Sequence, residues 1–285
     1  MRHPILAAAI SAAVLLLPAA APAADSFDNC TGYIDSLPAV IGAPGTWCMR
    51  KNLSTSLASG SAVRSTVTDV VIDCHGFRIL GTAGRDAGVS RGVGLINAHG
   101  STVRNCRVVG FYTGIGVQGN GMLVEDNRVE GNGVGLSLYG AIEEATSGNG
   151  PVARRNVVQD SMYFGIEMSG AGHVVDNIVD GVVVDPRMYY PEAIGIGSIG
   201  GGDGMVVARN IVRNIDPAGG AAYGIYTMNG TNVLVRDNIV IAMPGVASNG
   251  GILCMSPGSA VGNVVTGGWG TPVSCTATAG NDVLQ

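Results

Sequence analysis

VARRNVVQDSMYFGIEMSGAGHVVDNIV, residues 152–179, holds one full period of an imperfect repeat and the start of the next. Apolar residues flank Asn156 in Ala153-Arg154-Arg155-Asn156-Val157-Val158, and Gly165-Ile166 then opens a stretch of alternating character. The pattern restarts 21 residues on, as Val174-Val175-Asp176-Asn177-Ile178-Val179. Outward from this stretch, the asparagine segment recurs as VEDNRV, VARNIV, VRDNIV and AVGNVV around Asn127, Asn210, Asn238 and Asn263. The glycine pair recurs at Gly94-Leu95, Gly114-Ile115, Gly135-Leu136, Gly195-Ile196, Gly224-Ile225 and Gly251-Ile252. VIDCHG and VRNCRV align on their apolar residues and put Cys74 and Cys106 where later repeats carry Asn. The eight equivalent positions are spaced by 32, 21, 29, 21, 33, 28 and 25 residues. Short β-rich units at such a period predict a solenoid, in which no unit buries its apolar face alone and stacking supplies the core. No apolar-periodic helix of the length a helical solenoid needs is present, so the fold class is all-β.

Within a strand, side chains alternate, so Ile166 and Met168 are expected to point inward and Glu167 and Ser169 outward. An Asn at a fixed place in every coil is explained as an inward turn residue whose amide bonds the coils above and below. This predicts an asparagine ladder rather than six ligand-binding amides.

Composition agrees. Forty-five glycines in 285 residues suit recurring tight turns that need left-handed conformations. A hydrophobic share of 46% and a mean hydropathy of +0.33 exclude a disordered Gly-rich chain. Lys51 is the sole lysine and the net charge is −5, which argues against a nucleic-acid partner. The aspartates beside the ladder positions (Asp73, Asp126, Asp176 and Asp237), with Arg155 and Arg209, read as an exterior stripe of cross-coil charge pairs. They lack the dense Asp-Gly pattern of calcium-binding β-rolls, so neither calcium nor any other cofactor is implied.

Residues 1–24 predict a signal peptide: a basic start at Arg2 and His3, an apolar run from Ile5 to Leu17, and Ala21-Pro22-Ala23 at the cleavage point. The run is shorter than the roughly 20 residues of a membrane span. An exported chain, periplasmic or extracellular, is expected, with an N-terminal cap and first coil over 25–65, repeats over 66–270 and a C-terminal tail over 271–285. Six cysteines in an oxidising compartment favour disulfides over a metal site. Cys30 with Cys48 and Cys254 with Cys275 are the preferred pairs. Cys74 and Cys106, on adjacent coils, are either bridged or a reduced stack.

The repeat V-x-x-N-x-V followed by G-I-x-apolar, preceded by APGTWCMRKNL and VTDVVIDCHGFRI, resembles the right-handed parallel β-helix superfamily typified by pectate lyases and by secreted proteins with parallel β-helix repeats. The resemblance covers about residues 41 to 270. It implies a single-stranded solenoid of about 8–10 coils with three strands per coil: one before Asn, one after it, and the Gly-Ile strand. It also implies a substrate groove beside the Gly-Ile strands, as in the polysaccharide lyases. The long intervals after Cys74 and Asn177 leave from that edge and are expected to wall such a groove, with Tyr139–Pro151 on the other side.

Outward positions there include Gln118, Tyr139, Glu167, Tyr226 and Met228, and the insertion GVVVDPRMYYPEA adds Asp185, Arg187, Tyr189, Tyr190 and Glu192. Aromatic planes beside carboxylates and an arginine suit a sugar. Glu167, Arg187, Tyr189 and Glu192 are the catalytic candidates. Tyr139, Asp185, Tyr190 and Tyr226 are the substrate-binding candidates. A lyase or epimerase would use Arg187 with Tyr189 or Tyr190. Asp185-Pro186-Arg187 is similar to part of an Asp-Pro-His-Asp motif in alginate-type epimerases, but the histidine and second aspartate are missing. A glycosidase would pair Glu167 with Glu192 or Asp185. The structural alternative makes Glu167 a solvated strand residue and Tyr189 and Tyr190 loop anchors. Two functions follow: an exported β-helix that binds and processes a polysaccharide or cell-surface glycan, by lyase, epimerase or hydrolase chemistry, or a non-catalytic structural or surface-interaction scaffold.

Overall fold

The computed structural model describes residues 27, 29–140, 149–184, 192–200, 203–246 and 248–284. Strands run from Gly32–Ile34 to Asp282–Leu284, and no helix occurs among the described residues. They form three all-parallel sheets of 11, 10 and 10 strands, and the chain visits the sheets in rotation. Each turn contributes the strand before the ladder position to the first sheet, the strand after it to the second, and the Gly-Ile strand to the third. Complete turns begin with Gly45–Met49 and end with Trp269–Ser274. The molecule is a right-handed parallel β-helix, the hand that parallel crossover connections take.

The core is a set of stacked rows. Val93, Ile115, Leu136, Ile166, Ile196, Ile225 and Ile252 are in register on successive turns and fully buried. This register moves the first glycine pair: Gly92-Val93, not Gly94-Leu95, is the equivalent of Gly114-Ile115. These glycines recur for a different reason from the turn glycines, because none lies at positive φ. A Cβ on Gly165 would sit 2.3 Å from Val179 Cγ1 and 2.6 Å from the Gly195 carbonyl oxygen. Gly92, Gly114, Gly135, Gly195 and Gly224 meet the same pair of obstacles. Close approach between turns, not backbone conformation, excludes a side chain there.

From Cys106 on, the left-handed conformation falls one residue before each ladder position, at Asn105, Asp126, Arg155, Asp176, Arg209 and Asp237, and then at Gly262 and Gly280; at Cys74 it falls one residue after, at His75. The bend before a ladder position turns the next side chain inward. The Asn156 backbone N–H and its Nδ2 both donate to Asn177 Oδ1, at 2.9 and 3.0 Å, and Nδ2 also donates to the Val124 carbonyl at 2.9 Å. The same pattern joins Asn127, Asn177, Asn210, Asn238 and Asn263, and it extends to Asn281. Cys74 and Cys106 head the row as a disulfide, with Cα atoms 4.7 Å apart. Cys30–Cys48 and Cys254–Cys275 are also bridged.

Outside this corner, Arg155 pairs with Asp126 and Arg209 with Asp176 across turns, at 2.7 Å each. Asp73 departs from the exterior stripe. It is 4% exposed and accepts from Arg104 Nε at 2.7 Å, the His75 amide at 3.0 Å and Asn105 Nδ2 at 3.2 Å.

Candidate functional site

Because alternate side chains of the third sheet point out, in-register stacking turns the repeat into outward rows. The middle row reads Gly94, Gly116, Ser137, Glu167, Gly197 and Tyr226. On one side stand Arg91, Thr113, Val134, Phe164, Ile194 and Tyr223, and on the other Ile96, Gln118, Tyr139 and Ser169. Between these rows lies a cleft of about 780 Å³, with Tyr112 and Tyr163 along one edge, their ring centres 6.1 Å apart. The insertion after Cys74 reaches along this edge, where Arg85 Nη1 donates to the Asp160 carbonyl at 2.7 Å.

Glu167 lies in the floor and is only 7% exposed. Its Oε1 accepts from the Tyr139 hydroxyl and its Oε2 from Ser137 Oγ, both at 2.9 Å. The solvated-strand alternative for Glu167 is thereby excluded. Burial, followed by the charge of Glu167 and the hydrogen bond to it, pushes the Tyr139 phenol up to about 12. Tyr139 is therefore protonated at neutral pH and donates to the carboxylate; it is not poised as a base.

Glu192, exposed, lines the same cleft from the turn after Glu167. Burial and then the charge of Glu192 raise the Tyr223 phenol; for Tyr226, burial, Tyr223 and Glu192 act in that order. The two rings stack with centres 4.7 Å apart.

Of the residues singled out from the sequence, Glu167, Glu192, Tyr139 and Gln118 share the cleft. Tyr226 lies on the next turn, stacked on Tyr223 outside the cleft lining. Asp185, Arg187, Tyr189 and Tyr190 lie outside the described residues.

Sequence reasoning missed Arg91, Ser137, Tyr112, Tyr163 and Phe164. Arg91 and Phe164 share an outward row once Gly92-Val93 is aligned with Gly114-Ile115 and Gly165-Ile166. The two-residue misalignment at Gly94-Leu95 hid that relation. Ser137 had a plainer signal, being the outward neighbour of Leu136 just as Glu167 is of Ile166.

The three disulfides leave no free thiolate. His75 lies beside the sulfurs of Cys30 and Cys48, but these are bonded to each other, so that grouping lacks the ligands of a thiolate metal site.

No family model matches the chain, and no curated protein does. Solved structures do. The complex of XylC with xylose is 12% identical over 82% of this chain and 47% of that one, with a TM-score of 0.48, so the chain spans about half its length. A double mutant of the periplasmic alginate epimerase AlgG is 13% identical over 85% of this chain and 75% of that one, with a TM-score of 0.41. An alginate lyase from Paenibacillus sp. is 14% identical over 89% of this chain and 96% of that one, with a TM-score of 0.33. The stacked parallel sheets themselves define the class, a parallel β-helix protein with an open cleft on its third sheet.

Proposed function

We propose that this is an exported glycan-binding protein that holds a polysaccharide chain in the third-sheet cleft and hydrolyses it. The observation that carries the reading is Glu167, a buried carboxylate fixed by two hydroxyls at the floor of an aromatic-edged cleft. Rings can stack on the apolar faces of sugars while a fixed carboxylate orients their hydroxyls.

Hydrolysis is favoured over elimination because of what the described cleft contains. A lyase needs a base for a carbon-bound proton. Tyr139 is pushed away from that role and the lining holds no lysine or histidine, which leaves a lyase only Arg91 with Tyr112 or Tyr163 at the cleft edge. A glycosidase needs two carboxyl groups facing one bond, and Glu167 and Glu192 are the two that line this cleft. Export is supported by the leader-like N-terminus and the three disulfides. No helix among the described residues is long and apolar enough to cross a membrane.

Binding without turnover is the second reading, and one observation favours it: both Glu167 oxygens already accept hydroxyl protons from the protein. The test is affinity-gel retardation and reducing-end release on a panel of neutral and acidic polysaccharides, with wild type and Glu167→Gln. The expected result is retardation by both proteins and a loss of product of about a hundredfold or more in the variant. Retardation with no product from wild type establishes the binding-only reading. No retardation on any polymer overturns both.

A further inference from the structure

We infer that the Arg91 end of the cleft is a subsite for an anionic substituent, a carboxylate or a sulfate ester, carried by the bound glycan. The inference rests on the glycan reading above and specifies it. Its first support is an unmatched cation. Most arginines of the corner and the second sheet have carboxylate partners, Arg78 excepted: Arg104 with Asp73, Arg107 with Glu130, Arg154 and Arg155 with Glu125, Arg209 with Asp176, and Arg213 with Asp180. Arg91, half-buried in the cleft, has no ion pair or hydrogen bond among the described residues. Its guanidinium is a permanent cation with five donors in a planar fork, a shape that matches an oxyanion bidentately.

The second support is the floor on which this side chain lies. Gly94 and Gly116 occupy outward positions that later turns fill with Ser137 and Glu167. A Cβ on Gly116 would be 3.2 Å from Arg91 Cδ and 3.4 Å from its Nε, whereas a Cβ on Gly94 would run into Ser61 first, 3.0 Å from its Cβ, and lie 3.5 Å from Arg91 Cδ. The two glycines therefore leave a trough in which the arginine lies along the sheet. Neither glycine has positive φ, so the backbone does not demand them.

The third support is the layout of charge. Arg64, exposed, stands one turn before Gly94 in the same row and also lacks an ion pair among the described residues. The carboxylates are at the other end. Glu167 is three turns from Arg91 and Glu192 four, about 14 and 19 Å between strands at roughly 4.8 Å per turn. Glu167 is already engaged by two hydroxyls. The cleft is thus polarised along the solenoid axis, with a positive end whose charge reaches Tyr139 but meets no carboxylate partner among the described residues, and a ligand oxyanion would complete it.

The test compares three oligosaccharide arms, neutral, carboxylated and sulfated, by titration calorimetry at low salt and at about 0.3 M salt, where exposed charges are screened. The proteins are wild type, Arg91→Gln, and Arg213→Gln, which removes a cation from the second sheet. The expected result is tighter binding of the carboxylated or the sulfated arm than of the neutral one. Arg91→Gln should weaken that arm on the order of ten- to a hundredfold, and weaken it more than the neutral arm, with the melting temperature unchanged. Arg213→Gln should preserve the preference. Which acidic arm responds identifies the group. An acidic preference that survives Arg91→Gln, or binding of the neutral arm alone, overturns the subsite while leaving the glycan reading intact. Binding of no arm by wild type overturns that reading and the subsite with it.

Discussion

The inner and outer faces of the same Gly-Ile strands obey different rules. Inside, Gly165 is forced by Val179 and by the Gly195 carbonyl, Ile166 stacks between Leu136 and Ile196, and the pattern barely varies from turn to turn. Outside, the middle row passes through Gly116, Ser137, Glu167, Gly197 and Tyr226, with no two consecutive turns alike after Gly116. Packing constrains an inner position through neighbours on every side, whereas an outer position needs only to be compatible with a strand. Information about fold therefore accumulates on the inner face, and information about ligands on the outer one.

The sharpest way to break this contrast is to make the same kind of change on each face. Gly165→Val places atoms where backbone and a β-branched side chain of the next turn already are, so relief requires separating the turns. The expected cost is more than about 3 kcal/mol, seen as insolubility or a large fall in melting temperature. Gly116→Ala presses only on the flexible Arg91 side chain, with Thr113 Cγ2 at an ordinary 3.5 Å, and should change stability by less than about 0.5 kcal/mol. Equal melting temperatures for the two variants would sink the distinction.

Next in size is the corner. Asn177→Ala removes the acceptor of the Asn156 N–H and Nδ2 and the donor to the Ala153 and Val175 carbonyls, all in a buried row. Unmatched buried groups cost about 1–3 kcal/mol each, partly relieved by relaxation, so a loss of about 2–4 kcal/mol in denaturant unfolding is expected. A loss below about 1 kcal/mol would mean the ladder is incidental to stability.

The fold was legible because its cause is repeated. Each asparagine occupies the same environment as the others, and the eight aligned positions reinforced one another. Two details were not legible for the same reason. Asn281 closes the ladder without the valine-rich flanks that marked the rest, so no pattern pointed to it. Gly94-Leu95 fits the glycine pattern as well as Gly92-Val93 does, and only pairing with Gly116-Val117 decides between them.

The cleft depends on which outward residues become neighbours across turns 21 to 30 residues apart, a relation fixed by register. Glu167, Glu192 and Tyr139 could be picked out as sugar-binding types at outward strand or insertion positions. Arg91 could not, because what sets it apart is that it has no ion pair among the described residues, and partners are invisible until the turns are stacked.

The smallest effect belongs to the outer charge pairs beside the ladder. The hydrogen bond from Arg209 holds the Asp176 carboxyl below its usual value, and that from Arg155 does the same for Asp126. A depressed folded-state value means that the folded protein binds fewer protons than the unfolded chain. The stabilisation is then present above the unfolded-state value, near pH 4, and is lost as pH falls through the lower folded one. Both pairs are solvent-exposed, with side chains 40% or more accessible, so solvent screening leaves each a small contribution. Asp176→Asn should accordingly leave the cleft's ligand affinity at neutral pH unchanged and flatten the fall in melting temperature below pH 4 by only a degree or two. A larger shift at neutral pH would show that the outer pair is coupled to the Asn177 row behind it, and the separation between an inner face that sets the fold and an outer face free to vary would have to be redrawn at this corner.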